Sequence, residues 1–156
     1  MRISVLAVGT RMPGWVTEAV CQYSERLPRE LKLEWREIPL AQRDKRSNPA
    51  QVCEREGEAL LKAVPQGDRV IALVIEGRQF STAQLAGQLR DWQMSGDNYS
   101  LLIGGPDGLS PACLERAEQQ WSLGKLTLPH PLVRVIVAEQ LYRAWTITVN
   151  HPYHRA

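Results

Sequence analysis

Two short runs in this chain carry almost no polar side chain. Residues 69–75 read RVIALVI and residues 99–103 read YSLLI. Side chains of a strand alternate between opposite faces, so a strand that is apolar throughout must be covered on both. That requirement points to central strands of a mostly parallel sheet with helices on both faces, an α/β fold.

The remaining segments supply the pieces. Residues 2–8 (RISVLAV) and 31–38, where Leu31, Leu33 and Trp35 alternate, read as further strands, and residues 125–128 as a short last one. Helices are predicted over 14–27, where Trp15, Ala19 and Tyr23 recur every four residues, and from Asn48 and Pro49 to about 64. Further helices are predicted from Ser81 or Thr82 to about 96, from Ser110 and Pro111 to about 121, and over 132–148. Asn48 and Ser110 are cap residues, and the prolines after them suit the first helical position. Residues 42–48 (QRDKRSN) form a polar, basic loop.

A length of 156 residues suits one domain spanning 1–156, and no repeat or linker interrupts it. The three cysteines, Cys21, Cys53 and Cys113, are odd in number and far apart, which argues for a reducing compartment and against disulfides or a zinc site. No apolar run is long enough to span a membrane, and the N-terminal segment is too short for a signal-peptide core, so cytoplasmic residence is expected. The net charge of +2 excludes a bulk polycation; nucleic-acid binding would need a local patch or a shaped site.

Three stretches carry chemistry. The glycines of Gly104-Gly105-Pro106-Asp107-Gly108 follow a buried strand, where ligands of parallel sheets sit. Their spacing fits neither a dinucleotide nor a Walker loop, and a tight turn without ligand is the plain alternative. Residues 123–131 (LGKLTLPHP) combine Gly124, Pro129 and Pro131 with apolar Leu123, Leu126 and Leu128; backbone groups there could read an adenine edge, or the segment is simply a strand-to-helix connection. The last helix and tail bring Arg134, Glu139, Arg143 and then NHPYHR. Glu139 and Arg143 have the spacing of a helical ion pair. In the tail, Tyr153 and His154 can stack on a displaced base, and Arg143 and Arg155 can engage phosphate. His151 and His154 lack a third ligand nearby, so no metal is expected.

The segments LLIGGPDGLSPA, LTLPHPLVRVIVAEQLYRAWTI and NHPYHR together resemble the RlmH-type methyltransferases of the SPOUT superfamily, and the likeness runs from VLAVGTRMPGWV to the C-terminal HPYHR. The resemblance implies a sheet whose C-terminal segment threads a trefoil knot, S-adenosylmethionine as methyl donor, and a homodimer. It also implies methylation of N3 of a pseudouridine in 23S rRNA within the assembled ribosome. Carried over by position, Leu73 would line the donor pocket and Gly104 would let the donor approach. Leu123, Gly124, Lys125, Leu126, Thr127 and Leu128 would hold adenine and ribose, largely by backbone. The uracil-type acceptor nitrogen must lose a proton. His130, Glu139 and His154 are candidate bases, Arg143 and Arg155 candidate cations, and Tyr153 a substrate residue. The alternative is a non-enzymatic ribosome-binding or assembly module on the same fold. A hydrolase is disfavoured because no G-x-S-x-G elbow occurs.

Overall fold

The computed structural model describes residues 1–154. Five strands form one sheet in the order β2-β1-β4-β3-β5: β1 (Arg2–Val8), β2 (Lys32–Ile38), β3 (Arg69–Gln79), β4 (Tyr99–Ile103) and β5 (Gln119–Ser122). Every pairing is parallel. Five helices connect and follow them: α1 (Gly14–Glu25), α2 (Pro49–Ala63), α3 (Thr82–Ser95), α4 (Pro111–Arg116) and α5 (His130–Thr148).

The apolar strands lie at the centre of the sheet, as their two-sided composition requires. All five residues of β4 are buried. Alternation divides their side chains between two cores. Ile3, Val5, Ile71, Leu101 and Ile103 pack with Leu85, Leu89 and Trp92 of α3 and with Val137 and Leu141 of α5. Leu6, Val8, Val70 and Leu102 pack with Leu60 of α2 and Cys113 of α4 on the other face. Each large apolar side chain so buried contributes about 1.5–3 kcal/mol.

Helix starts follow the sequence closely. The Asn48 side chain accepts from Ala50 N at 2.9 Å. Ser81 and Gln84 exchange the two bonds of a capping box, at 3.1 and 2.9 Å. Ser110 Oγ accepts from Cys113 N at 3.3 Å. Gly96 closes α3 with φ of 75°, in the left-handed region glycine tolerates.

Three readings need correction. The helix after Ser110 stops at Arg116, not near Trp121, and β5 occupies part of its expected span. The polar Gln119 and Gln120 suit this strand because it lies at the sheet edge, where only Trp121 and Ser122 are buried. Residues 125–128 are not a strand; Gly124 turns away with φ of 135°, and the segment crosses the strand ends as a loop. In α1 the buried residue is Val16, while Trp15 is 53% exposed.

β3 runs past its expected end at Ile75 to Gln79, but its register with β5 breaks between Leu73 and Arg78. Residues 74–77 therefore bulge out of the ladder. Gly77 makes the bulge possible, because a Cβ there would lie 2.8 Å from the backbone of Gln120 and Trp121. Cys53 and Cys113 are buried, Cys21 is exposed, and all three are free thiols. Among the described residues, no helix is long and apolar enough to cross a membrane.

Candidate functional site

A pocket of about 740 Å³ opens at the C-terminal ends of β1, β3 and β4. Four segments wall it: residues 8–10 at the end of β1, residues 73–76 leading into the bulge, the turn at 103–105, and the loop 123–128 with His130. Ligands of parallel sheets bind at this end.

The loop residues expected to act together do meet here. Leu73, Gly104, Leu123, Gly124, Leu126, Thr127 and Leu128 all line the pocket. Lys125 does not; its side chain is exposed. Leu126 stands out at 78% exposure, an apolar side chain left uncovered at the rim. Ser122 Oγ bonds both the N–H and the carbonyl of Gly124, each at 3.1 Å, and so fixes the start of the loop. At Gly104 the demand for glycine comes from the turn itself: a Cβ would lie 2.6 Å from the Gly108 backbone. Gly108 N bonds Gly105 O at 3.0 Å to close that turn.

A brace outside the pocket holds the same turn. Glu56 is a buried carboxylate, 2% exposed, that accepts from Ala41 N at 3.0 Å and from both terminal nitrogens of Arg43 at 2.9 and 3.1 Å. Arg43 also donates to Asp107 Oδ2, from Nε at 3.3 Å and from its second terminal nitrogen at 3.1 Å. The basic loop before α2 is thereby pinned to the glycine turn.

His130 opens α5 and lines the pocket. Its Nε2 accepts from Arg134 Nε at 2.9 Å. Burial, and then the neighbouring Arg134 charge, push its ionisation below the ordinary value of 6.5. Arg134 is itself 4% exposed, and it also donates to Gly9 O at 2.7 Å and to Glu37 Oε2.

Glu139, Arg143 and Tyr153 form a second cluster. Glu139 Oε1 accepts from Arg143 Nε at 2.8 Å and from the Tyr153 hydroxyl at 3.2 Å, and Oε2 accepts from Gln140 at 2.8 Å. The Arg143 guanidinium stacks 5.1 Å from the Tyr153 ring centroid, and the Tyr142 ring meets Tyr153 edge-on at 4.7 Å. Burial first, then the Tyr23 hydroxyl and Glu139, push the Tyr153 phenol up to about 12. The ring expected to stack on a displaced base is thus held within its own chain. His154 is half-buried at the end of this segment, and Arg155 lies outside the described residues. Glu139 is nine residues after His130, about 13 Å farther along α5 at 1.5 Å per residue, so the two groups of candidates are separate within one chain.

Sequence reasoning missed the Val74–Glu76 wall, residues 9 and 10, and the Arg43–Glu56 brace. Arg134 carried a readable signal: a cation inside the apolar helix segment LVRVIVA needs a buried partner. Among the described residues, no group of three or more His, Cys, Asp and Glu side chains is placed to hold a metal.

The model of a family described as "Predicted SPOUT methyltransferase" matches residues 1–154. The chain belongs to the SPOUT methyltransferase family. Within it, the chain is similar to proteins named "Ribosomal RNA large subunit methyltransferase H". The one from Marinomonas sp. (strain MWYL1) is 54% identical over 155 residues, covering 99% of this chain and all of the relative. The one from Hahella chejuensis (strain KCTC 2396) is 55% identical over 155 residues, covering 99% of each. The all-parallel α/β sheet agrees with the fold expected from the SPOUT resemblance.

Proposed function

We propose that this SPOUT methyltransferase transfers a methyl group from S-adenosylmethionine to N3 of a pseudouridine in 23S rRNA. In this reading it acts on the assembled ribosome in the cytoplasm, as a homodimer whose C-terminal segment is knotted. The observation that carries the reading is the convergence of Leu73, Gly104 and the loop 123–128 on one pocket. The names of the full-length relatives supply the substrate class.

The pocket fits the donor. Its volume falls in the range of roughly 300–1,000 Å³ typical of small-molecule sites. Its leucines suit the faces of an adenine ring. Among the described residues, no hydrogen bond takes up the backbone N–H or C=O of Lys125, Leu126, Thr127 or Leu128. Those free groups match the polar edge of a base, and the role proposed for Lys125 and Thr127 is by main chain.

S-adenosylmethionine would supply an electrophilic methyl on its sulfonium; the protein supplies orientation and electrostatics. His130 is a poor candidate for the base that takes the acceptor proton, because its Nε2 already accepts from Arg134. Glu139, Arg143, Tyr153, His154 and Arg155 remain the proposed substrate residues. Their distance along α5 from His130 favours a composite site in which the tail of one copy meets the pocket of another. Leu132 is exposed and Val133, Val135 and Ile136 are half-buried, leaving apolar surface on α5 for such a partner.

The test is methyl transfer to purified ribosomal particles, with the modified nucleoside identified by mass spectrometry and a chelator present throughout. The expected product is N3-methylpseudouridine. Particle binding without methylation would instead favour the non-enzymatic module, and activity that needs an added divalent ion would overturn the metal-free chemistry. Sedimentation of dilute protein should give a dimer.

A further inference from the structure

Behind the pocket wall, a buried guanidinium is hydrogen-bonded to the one imidazole that lines the pocket. Arg134 Nε donates to His130 Nε2 at 2.9 Å. A nitrogen that accepts from a guanidinium must present its lone pair, so the ring proton sits on Nδ1. The backbone of Gly104 partly offsets the lowering that burial and Arg134 impose on the ring. Arg134 cannot swing away to release the ring. Its remaining nitrogens are tied to Gly9 O at 2.7 Å and to Glu37 Oε2, and its side chain is only 5% exposed.

The charged groups that act on His130 are Arg134 on its own helix and Glu37 near the end of β2, and Glu76 of the β3 bulge lines the same pocket. Glu37 is 42% exposed and bonded to Arg134, and its charge partly offsets the effect of that cation on the ring. Just after β1, a Cβ on Gly9 would lie 3.8 Å from His130 Nε2, so the backbone there approaches the ring closely.

We propose that Arg134 is a positioning residue that holds His130 in its neutral, Nδ1-protonated form, and that this neutrality lets the pocket accept a positively charged donor. The proposal rests on the reading of the pocket as the S-adenosylmethionine site. That donor carries a sulfonium cation, whereas its demethylated product, S-adenosylhomocysteine, has a neutral thioether in the same place. An imidazolium in the wall would repel the first and not the second. Arg134 keeps its own charge out of the pocket, which its side chain does not line, while blocking the ring nitrogen that would otherwise take a proton. The arrangement selects between two ligands that differ by one methyl group and one charge.

The experiment measures equilibrium dissociation constants for S-adenosylmethionine and S-adenosylhomocysteine by calorimetry, from about pH 8 to about pH 5.5, the range an ordinary histidine spans. In the wild type, the ratio of the two constants should stay flat down to below 6.5. In Arg134→Met, the ratio should match wild type at high pH and rise about tenfold against the donor as pH falls, with its onset at a higher pH than any rise in wild type. Adding His130→Asn to that variant should flatten it again. A purely structural role for Arg134 would weaken both ligands together and leave the ratio unchanged, which overturns the proposal. Wild-type protein that binds neither ligand overturns the donor reading as well, a distinct result. Because Arg134→Met removes a buried ion pair, a second measurement uses wild type alone. Two-bond ¹H–¹⁵N correlation spectra should show His130 as the neutral Nδ1–H tautomer at about pH 6, and an Nε2–H or fully charged ring there sinks the idea.

Discussion

The Tyr153 hydroxyl lies 3.2 Å from Oε1 of Glu139, fourteen residues earlier in the chain. The tail is therefore docked on α5, with its ring between Tyr142 and Arg143. Tyr153→Phe removes one hydrogen bond to a carboxylate and should cost about 1 kcal/mol. Tyr153→Ala also removes the aromatic and cation–π contacts and should cost roughly 2 kcal/mol. Urea unfolding of the two variants measures both values. A Tyr153→Ala curve superimposed on wild type would mean that the ring is free in solution. Deleting residues 153–156 takes away the same ring and should cost at least as much as Tyr153→Ala.

Glu56 gives a larger effect. Replacing Arg43 with Met leaves a carboxylate that is 2% exposed without its cation, and one-sided removal of such a partner costs roughly 3–5 kcal/mol. Asp107→Asn breaks only the half-exposed arm of the brace and should cost at most about 1 kcal/mol. Equal losses in the two variants, read by chemical denaturation, would contradict the asymmetry seen here.

Two helical glycines should respond to alanine with opposite signs. At Gly87 in α3 a Cβ would meet nothing within 4 Å, so Gly87→Ala should stabilise by roughly 0.5–1 kcal/mol. At Gly57 in α2 the same atom would lie 2.1 Å from Ser110 Oγ and 2.8 Å from Ser110 Cβ. Overpacking of that kind costs roughly 1–3 kcal/mol and outweighs the propensity gain. Thermal melts of the two single variants decide the matter.

The pH dependence of stability carries a signature of His130. Its ionisation is depressed in the folded protein by burial and then by Arg134, so below 6.5 the unfolded chain binds more protons than the native state. The contribution is fully present above 6.5 and is lost as pH falls through the lowered native value. His130→Asn should therefore flatten the stability profile on the acid side of 6.5 while leaving the alkaline side parallel to wild type. Parallel profiles throughout, from denaturation at a series of pH values, would remove His130 from this role.

What could be read in the sequence was set by local chemistry. The caps at Asn48, Ser81 and Ser110 act on backbone within three residues, so they are visible without tertiary information. RVIALVI and YSLLI announce central strands because their burial is two-sided. β5 escaped because a sheet edge asks little of its residues, and one buried Trp121 does not make a pattern. The alternation of Leu126 and Leu128 imitated a strand because those side chains serve a pocket wall and rim instead of a core. The contiguous pocket loops were legible as motifs. The brace from Arg43 to Glu56 and Asp107 was not, because its members lie far apart in the chain and only the fold brings them together.

The place of β4 between β1 and β3 also sets an order of events during synthesis. A nascent chain that has reached Ser95 holds β1, β2 and β3, but β3 has no neighbour to pair with. The β1–β2 ladder can close early, because its partners lie within the first forty residues. The rest of the sheet waits for Tyr99–Ile103 to emerge, and such non-local closure is slow relative to local pairing. The pocket waits longer still, for the loop at 123–128 and for the arginine at 134 that fastens its back wall. A protein proposed to act on ribosomes thus acquires its own site only as the last quarter of the chain leaves the ribosome that makes it, and a release even slightly premature would yield a sheet without a pocket.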